Sequence, residues 1–330
     1  MPRFTHLVFI QAILLRKNTS LGFVSRQNFQ QRTFFASSKL YQSASTEVDI
    51  LHTVNGIICR EVNIDIKKVG GIKILEATAE SQDELVEIAC ATEEEIAQFQ
   101  NEPLIKSGDP YGAVLWPAAS AVSDYLTTIV SEEFPSRSLK GLTILELGTG
   151  TGLCALSAAL GGATRVIATD YEEIPLRLLE YAVEHVNCDD GNGEIDRDAR
   201  RLRLASIETG IFDICKHDVP LPKADIVIAA DIMYEPMTGI ATAIRAVEAL
   251  NAGSRVIIGC SPGRPGRPYF TDKLKQLLPN VNTEFREVEG RTCSGPRNEL
   301  ICGENSHSVS AEPKPLNVAL IDLKPEQSLF

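Results

Sequence analysis

Beyond about residue 115, short runs of apolar residues alternate with longer segments whose apolar positions recur every three or four residues. This alternation predicts an α/β fold around a mainly parallel sheet. The helical segments include 118–129, 153–160 and 172–186. The runs predicted as strands are 142–147, 165–170, 202–207, 225–230, 254–260 and 316–323. Several of these runs are apolar at nearly every position, as expected for strands buried on both faces.

The segment 47–104 has a different pattern and predicts a small accessory layer. Residues 56–64 alternate well enough for a strand, and the Gly70-Gly71 pair turns the chain into a second strand at 72–75. An acidic helix is predicted at 81–95, with a solvated charged face.

Residues 1–46 are not expected to belong to the fold. They contain no Asp or Glu but several Arg and Lys, a composition typical of a transit peptide. The segment RTFFASS at 32–38 is similar to a matrix-processing site, so we expect the mitochondrial matrix. The apolar stretch 4–15 leaves a plastid or secretory entry open. Residues 105–330 are expected to form the main domain, with a mobile insert at about 291–315.

The composition excludes several classes of function. Asp and Glu outnumber Lys and Arg by 44 to 32, so a general nucleic-acid binder that neutralises phosphates is not expected. No apolar run approaches the roughly 18–20 residues of a membrane-spanning helix. The cysteines never form C-x-x-C, and we expect packing thiols and no metal site.

The strongest chemical signal is ELGTGTG at residues 146–152, between a predicted strand and a predicted helix. Its glycines let the backbone approach a ligand, and the helix presents free N–H groups. Leu153 stands where a dinucleotide fingerprint requires glycine. The carboxylate of Glu146 suits a cationic ligand with an amino acid group, such as S-adenosylmethionine. A dinucleotide or a purely structural turn are the alternatives. The glycines are Gly148, Gly150 and Gly152.

Two further strands end in acidic residues. Asp170 lies about 20 residues after the first glycine, where it can bond ribose hydroxyls, although it could also cap the next helix. The run 225–230 ends in Asp231-Ile232-Met233-Tyr234. An acid and a phenol just past a central strand lie where open α/β sheets bind ligands.

The segment DPYGAVLWP at 109–117 contains the only tryptophan, Trp116, between two prolines and a glycine. A loop of this stiffness can close over a ligand. The alternative is that Trp116 anchors the following helix in the core.

Together, ELGTGTG, Asp170, the WP segment and DIMY resemble the seven-strand class I S-adenosylmethionine methyltransferases. Within them they resemble the protein lysine methyltransferases with an Asp/Glu-x-x-Tyr/Phe signature. DPYGAVLWPAASAVSDYL at 109–126 and RVIIGCSPGRPGRPYF at 255–270 are similar to the group that methylates the β-subunit of electron transfer flavoprotein. The chain departs at Gly112, where the group has an aromatic residue, at Ala118-Ala119, where it has two glycines, and in a second GRP.

The resemblance implies a Rossmann-like, mostly parallel seven-strand sheet with an antiparallel last strand, and S-adenosylmethionine as cofactor. It implies a protein substrate such as the flavoprotein β-subunit, and we expect a monomer. Asp231 and Tyr234 would be catalytic, with Asp231 orienting the lysine nitrogen. Trp116 and Tyr111 would line the substrate channel. The implied cofactor residues are Trp116, Glu146, Gly148, Gly150, Gly152, Asp170, Asp213 and Asp231.

Two other functions stay open. A small-molecule methyltransferase could use the same scaffold, with the WP loop closing over a metabolite. A cofactor-binding assembly factor without turnover is the third possibility, and the presence of Asp231 and Tyr234 argues against it.

Overall fold

The computed structural model describes residues 50–90, 111–134, 136–187, 194–291 and 315–325. The predicted transit peptide lies outside these residues, as does the predicted insert except for its two end residues.

The described chain alternates strands and helices. The strands are β1 Leu51–Val54, β2 Ile57–Ile66, β3 Gly70–Ala77, β4 Thr143–Leu147, β5 Arg165–Asp170, β6 Ile207–Ile211, β7 Ile226–Ala230, β8 Arg255–Cys260, β9 Arg286–Arg291 and β10 Pro315–Leu323. The helices are α1 Ala79–Cys90, α2 Pro117–Tyr125, α3 Leu153–Leu160, α4 Glu173–Tyr181, α5 Glu194–Leu204, α6 Pro236–Asn251 and α7 Gly266–Leu277. Helices α2 and α4 each continue into a π-helical turn, Leu126–Val130 and Ala182–Val186. None of the helices in the described ranges has the length and apolar character needed to cross a membrane.

Seven strands form one sheet in the order β6-β5-β4-β7-β8-β10-β9. All neighbours pair in parallel except β10, which runs antiparallel to both β8 and β9. The predicted fold class, a mostly parallel sheet with an antiparallel last strand, is confirmed. The strand order reverses between β4 and β7, and open α/β sheets bind ligands beyond the carboxyl ends of the strands at such a reversal.

Both faces of this sheet are covered by helices, which explains the apolar runs in its central strands. Ile226 and Ile228 of β7 pack in a cluster with residues of α2 and α3. Val227 and Ala229, which point to the opposite face, pack with residues of α6 and α7.

The predicted third strand at 202–207 is wrong. Residues 202–204 end helix α5, residues 205–206 form a turn, and the strand next to β5 is β6, which begins at Ile207. In a strand Leu202 and Leu204 would share a face, but Leu204 is 1% exposed and Leu202 is 77% exposed. Residues two apart lie about 200° apart around a helix, which accounts for the difference. Strand β6 lies at the sheet edge and contains Glu, Thr and Gly, so it lacks the apolar run used for prediction.

The predicted accessory layer is confirmed as a three-stranded antiparallel sheet, β1-β2-β3, followed by α1. Its apolar side chains join the core of the main domain. Ile64 and Ile72 lie in the same cluster as residues of α3, and Leu75 packs with Ile174 and Leu178 of α4.

A buried carboxylate connects this small sheet to the loop before α2. Glu76 of β3 accepts hydrogen bonds from Arg60 Nη2 at 2.7 Å and from the backbone N–H of Leu115 at 3.1 Å. Leu115 directly precedes Trp116, so the accessory sheet helps to position the tryptophan loop.

Helices α6 and α7 meet where two glycines allow backbone contact. A Cβ on Gly239 would lie 2.1 Å from the carbonyl oxygen of Gly266, and one on Gly266 would lie 2.3 Å from that of Glu235. The N–H of Gly266 also donates to the carbonyl oxygen of Met233 at 3.1 Å. These contacts hold the segment after β8 against the turn after β7.

Gly239→Ala tests this contact, because propensity and packing predict opposite effects. Alanine in place of glycine inside a helix normally stabilises by roughly 1 kcal/mol. Here the added methyl group overlaps the Gly266 carbonyl, and we expect a net loss of about 2 kcal/mol in the free energy of unfolding. Denaturant unfolding of the purified protein measures the change.

Gly210→Ala in β6 is the matched control, since a Cβ there meets no atom within 4 Å. It should change stability by less than about 0.5 kcal/mol. A Gly239→Ala protein as stable as this control would contradict the close crossing of α6 and α7.

Candidate functional site

The predicted acidic residues and glycines lie together at the carboxyl edge of the sheet. The glycine turn follows β4, Asp170 ends β5, Asp213 lies just after β6 and Asp231 follows β7. These four strands are consecutive neighbours in the sheet, so the turns after them meet along one edge. The tryptophan loop reaches the same edge because the N–H of Ala118 donates to Asp231.

The glycine turn is needed partly for packing and partly for access. All three of its glycines have positive φ angles, which most side chains disfavour. A Cβ on Gly148 would lie 2.5 Å from Ile232 Cγ2, and one on Gly152 would lie 2.5 Å from Leu179 Cδ1. A Cβ on Gly150 would meet a single described atom within 4 Å, a carbonyl oxygen at 3.5 Å. Gly150 is therefore the least crowded of the three glycines, and cofactor binding by Gly148, Gly150 and Gly152 stays a prediction.

Glu146 is buried at the base of this turn, 1% exposed, with Oε2 accepting a hydrogen bond from the Thr149 hydroxyl at 2.8 Å. Burial raises its pKa to about 8; hydrogen bonds from Thr149, Cys154 and the Ala155 N–H oppose this shift, and the charge of Asp170 adds to it. Glu146 is therefore mostly protonated at neutral pH in the ligand-free protein. A cation bound nearby would favour its charged form.

Asp170 holds the glycine turn against β5. Its Oδ2 accepts a hydrogen bond from the N–H of Gly150 at 3.1 Å, and its Oδ1 accepts one from the N–H of Glu172 at 3.2 Å. Glu172, not Asp170, is the N-cap of α4. Contact between Asp170 and a ribose stays a prediction.

Asp213 follows the edge strand β6, in a segment that is hydrogen-bonded to Arg245 of α6. The N–H of Phe212 donates to the carbonyl oxygen of Asp170 at 2.8 Å, and Asp213 Oδ1 accepts from the N–H of Cys215 at 2.9 Å. The guanidinium of the buried Arg245 lies 4.9 Å from the centre of the Phe212 ring, and its Nε donates to a carbonyl oxygen of this segment at 3.1 Å. Adenine contact by Asp213 stays a prediction.

The Asp231 carboxylate joins three segments of the chain. The residue is 5% exposed and has a left-handed φ of 60°. Oδ1 accepts from the Ser261 N–H at 2.7 Å and from Arg264 Nε at 3.1 Å. Oδ2 accepts from the Ala118 N–H at 3.0 Å and from the Ser261 hydroxyl at 2.7 Å. These four donors occupy its acceptor sites, so a lysine nitrogen would have to replace one of them.

Trp116 lies between Tyr111 and Arg264. Its Nε1 donates to the carbonyl oxygen of Tyr111 at 2.9 Å, and the two rings have centroids 6.2 Å apart. The guanidinium carbon of Arg264 lies 4.1 Å from the centre of the Trp116 ring. Because Trp116 is partly exposed, it forms part of the rim of the site rather than a core anchor. Tyr234 is also partly exposed, in the turn between Asp231 and α6.

Sequence reasoning missed Ser261 and Arg264. Both residues lie in the segment SPGRPGRPYF, which directly follows a predicted strand of the parallel sheet. Ligand-contacting residues concentrate in such segments, so this position could have identified them. Arg245 had no comparable signal, because apart from Glu248 on the same helix its hydrogen-bond partners are backbone carbonyls about 30 residues away in sequence.

The residues present fit the cofactor that the sequence implies. A Cβ on Gly150 would meet a single described atom within 4 Å, and the acids Asp170 and Asp231 lie on the same edge as Glu146, which can lose its proton to balance a cationic ligand. Arg264 Nη2 is buried and has no hydrogen-bond acceptor among the described residues, so a negatively charged group could satisfy it. Within the described ranges, no three His, Cys, Asp or Glu residues are grouped to hold a metal ion.

Comparison with known proteins identifies a family. The sequence profile of a family described as lysine methyltransferase matches residues 104–276. That range contains the tryptophan loop, the glycine turn, the Asp231 turn and the segment after β8.

Individual relatives match over shorter segments. The electron transfer flavoprotein beta subunit lysine methyltransferase of Xenopus laevis is 27% identical over 182 residues, covering 54% of this chain and 63% of that protein. The histone-arginine methyltransferase METTL23 of Mus musculus is 31% identical over 126 residues, covering 38% of this chain and 43% of that protein. The chain thus spans less than two thirds of the length of either relative.

Among solved structures, magnesium protoporphyrin IX methyltransferase from Synechocystis PCC 6803 with bound SAM aligns at 16% identity and a TM-score of 0.34. The alignment covers 61% of this chain and 78% of that one.

The raised pKa of Glu146 predicts pH-dependent cofactor binding. Below about pH 8 the ligand-free carboxyl holds a proton that a cationic ligand has to displace. We therefore expect the affinity for S-adenosylmethionine to rise with pH, by up to about tenfold per unit, and to level off above about pH 8. Calorimetric titration in two buffers of different ionisation enthalpy gives both the affinity and the number of protons released.

Glu146→Gln is the matched control, because the amide keeps the size and the acceptor for Thr149 but does not titrate. Its affinity should vary little with pH and stay below that of the parent at alkaline pH. If the parent releases no proton, or if the variant keeps the same pH dependence, Glu146 is not the titrating group.

Proposed function

Because the chain belongs to the lysine methyltransferase family, we propose that it transfers a methyl group from S-adenosylmethionine to a lysine side chain of a protein. The observation that carries this proposal is the contact between the glycine turn after β4 and the Asp231 turn after β7, at the reversal of strand order. A cofactor on the first turn would lie beside the residues of the second.

The proposed chemistry depends on orientation more than on acid–base groups. When bound, S-adenosylmethionine supplies a methyl group on a positively charged sulfur. Attack has to come in line with the breaking bond, so a site that aligns the acceptor and excludes water contributes most to the rate. Trp116 and Tyr111 support this proposal as aromatic walls on the rim, next to Asp231.

The acceptor lysine has to be uncharged when it attacks. Its ordinary pKa is about 10.4, and desolvation between aromatic side chains favours the neutral amine. We infer that Asp231 has two roles. Its carboxylate positions the tryptophan loop, and its negative charge favours the nitrogen that becomes positive as the methyl group bonds to it.

The substrate that we propose is the β-subunit of electron transfer flavoprotein. Support comes from the relatives of that name and from the motifs at 109–126 and 255–270. We also propose the mitochondrial matrix as the location, which rests on the acid-free, basic composition of residues 1–46.

A methyl-transfer assay tests the activity. The full chain is incubated with labelled S-adenosylmethionine and recombinant electron transfer flavoprotein, followed by mass spectrometry of the β-subunit. We expect methylated lysine in that subunit. Gly150→Val should abolish both methylation and cofactor binding, because valine at φ 50° is strained and fills the open space of the turn.

Three outcomes would overturn parts of the proposal. Methylated arginine would favour the activity for which METTL23 is named. Label in a soluble metabolite of an organelle extract would identify a small-molecule methyltransferase. Equal cofactor affinity of the Gly150→Val and parent proteins would remove the glycine turn from the binding site.

Asp231→Asn should lower kcat/KM by about 100-fold, roughly 2.7 kcal/mol of transition-state stabilisation. The asparagine has no negative charge. In either orientation its NH₂ group would also face hydrogen-bond donors that the carboxylate now accepts. Tyr234→Phe should cost less, since the ring is kept. Steady-state kinetics with a parallel cofactor titration measure both effects.

Ser261→Ala separates the two roles of Asp231, because it removes one hydroxyl donor and leaves the charge. We expect a loss of less than about tenfold. Full activity of Asp231→Asn would exclude both roles, whereas equal losses in the two variants would leave positioning as the role of Asp231.

A further inference from the structure

Arg264 is held on two sides and unsatisfied on a third. Its Nε donates to Asp231 Oδ1 at 3.1 Å, and its guanidinium carbon lies 4.1 Å from the centre of the Trp116 ring. The side chain is 14% exposed. Nη2 is buried and has no acceptor among the described residues.

A buried donor of a charged group is costly to leave without an acceptor. Four buried side-chain atoms of the described residues lack a hydrogen-bond partner, and Arg264 Nη2 is the one that belongs to a charged group. The guanidinium group suits a carboxylate, because its N–H groups lie in one plane and point the same way along each edge. With Nε and one ring face already engaged, Nη2 is the nitrogen left without a partner among the described residues.

The order of the strands places Arg264 at one end of that site. Asp213 follows β6, Asp170 ends β5, Glu146 lies near the end of β4 and Asp231 follows β7, so the four acids lie in that order along the edge. If adenine and ribose occupy the first two positions, as the sequence predicts, the amino acid group of the cofactor reaches the last two. The segment after β8, which carries Arg264, comes next.

The charges of this end match an amino acid group. The buried carboxyl of Glu146 can balance a bound cation by losing its proton, whereas Arg264 presents a positive charge. In the described structure Asp213 is also paired with a cation, Lys216 at 3.9 Å, but that lysine is exposed and lies at the other end of the site. The carboxylate of the cofactor's amino acid group would be repelled by these acids unless a cation lay beside it. Arg264 is that cation.

We propose that Arg264 binds the carboxylate of the methionine part of S-adenosylmethionine, while its Nε remains bonded to Asp231. The subsite connects cofactor binding to the Asp231 carboxylate and to Trp116. It depends on the methyl-donor site of the proposed function but not on which acceptor is methylated.

The test compares two ligands that differ by one group. Decarboxylated S-adenosylmethionine lacks the carboxylate and keeps the rest of the cofactor. Calorimetry of the full chain should show that the parent protein prefers S-adenosylmethionine by about tenfold or more, as expected for a hydrogen bond between charged groups. In Arg264→Gln this preference should fall to within about threefold, with most of the loss in the affinity for S-adenosylmethionine.

Arg267→Gln is the matched control. Arg267 lies in the same segment, but its guanidinium carbon lies 5.8 Å from the centre of the Phe285 ring, and none of its nitrogens is among the buried atoms without a partner. This variant should keep the preference of the parent protein. Arg264→Lys, which keeps the charge but not the planar group, should lie between the parent and Arg264→Gln.

Two results would overturn the proposal. An equal loss of both ligands in Arg264→Gln would show that Arg264 acts only by holding Asp231 and Trp116. An unchanged preference, with a higher KM for the protein substrate, would place the acceptor of Nη2 in the polypeptide. Neither result bears on whether lysine is methylated, so failure of this proposal is distinguishable from failure of the proposed function.

Discussion

The arrangement of the site depends on one buried carboxylate that collects hydrogen bonds from distant parts of the chain. Asp231 receives the N–H of Ala118, which is 113 residues away in sequence, together with Ser261 and Arg264 from the segment after β8. Glu76 of the accessory sheet acts in a similar way on the N–H of Leu115. The backbone on either side of Trp116 is thus fixed by two buried carboxylates. If the tryptophan loop moved away, these backbone N–H groups would lose their buried acceptors, which is costly. Trp116 is therefore held at the rim of the site.

The acids of the site differ in how their charge is balanced, and this difference is informative. Asp231 faces Arg264, whereas burial dominates the environment of Glu146 and raises its pKa to about 8. A protein that only needed stability would have little use for a buried carboxyl without a cation. A ligand that brings its own positive charge explains why Glu146 is acceptable there. The sulfonium and ammonium groups of S-adenosylmethionine meet that requirement.

The features predicted from sequence were those set by local pattern. Apolar runs located β4, β5, β7, β8 and β10, because both faces of the sheet are buried and the runs are continuous. The pattern failed at the two edges of the sheet, where strands β6 and β9 are more polar and less buried than the central strands. Before β6, the alternation of Arg and Leu belongs to the end of helix α5. The acids at strand ends were predictable from position. Their partners were not, because Arg264, Ser261 and Ala118 come together only through the crossing of α6 and α7 and the placement of α2.

Gly112 shows how a departure from the family pattern can reshape the site without changing its chemistry. The lysine methyltransferases that the chain resembles have an aromatic residue at this position, but here a Cβ would lie 2.4 Å from Pro175 Cγ, in α4. The backbone of the tryptophan loop therefore lies closer to α4 than a side chain at position 112 would allow. Its carbonyl oxygen faces Gly150, so the same backbone also borders the open side of the glycine turn. Tyr111 and Trp116 belong to this loop, so the position of its backbone bears on the wall of the proposed substrate channel. Substrate choice depends on such loops rather than on the fold, so the backbone at Gly112 bears on which acceptor fits beside Trp116.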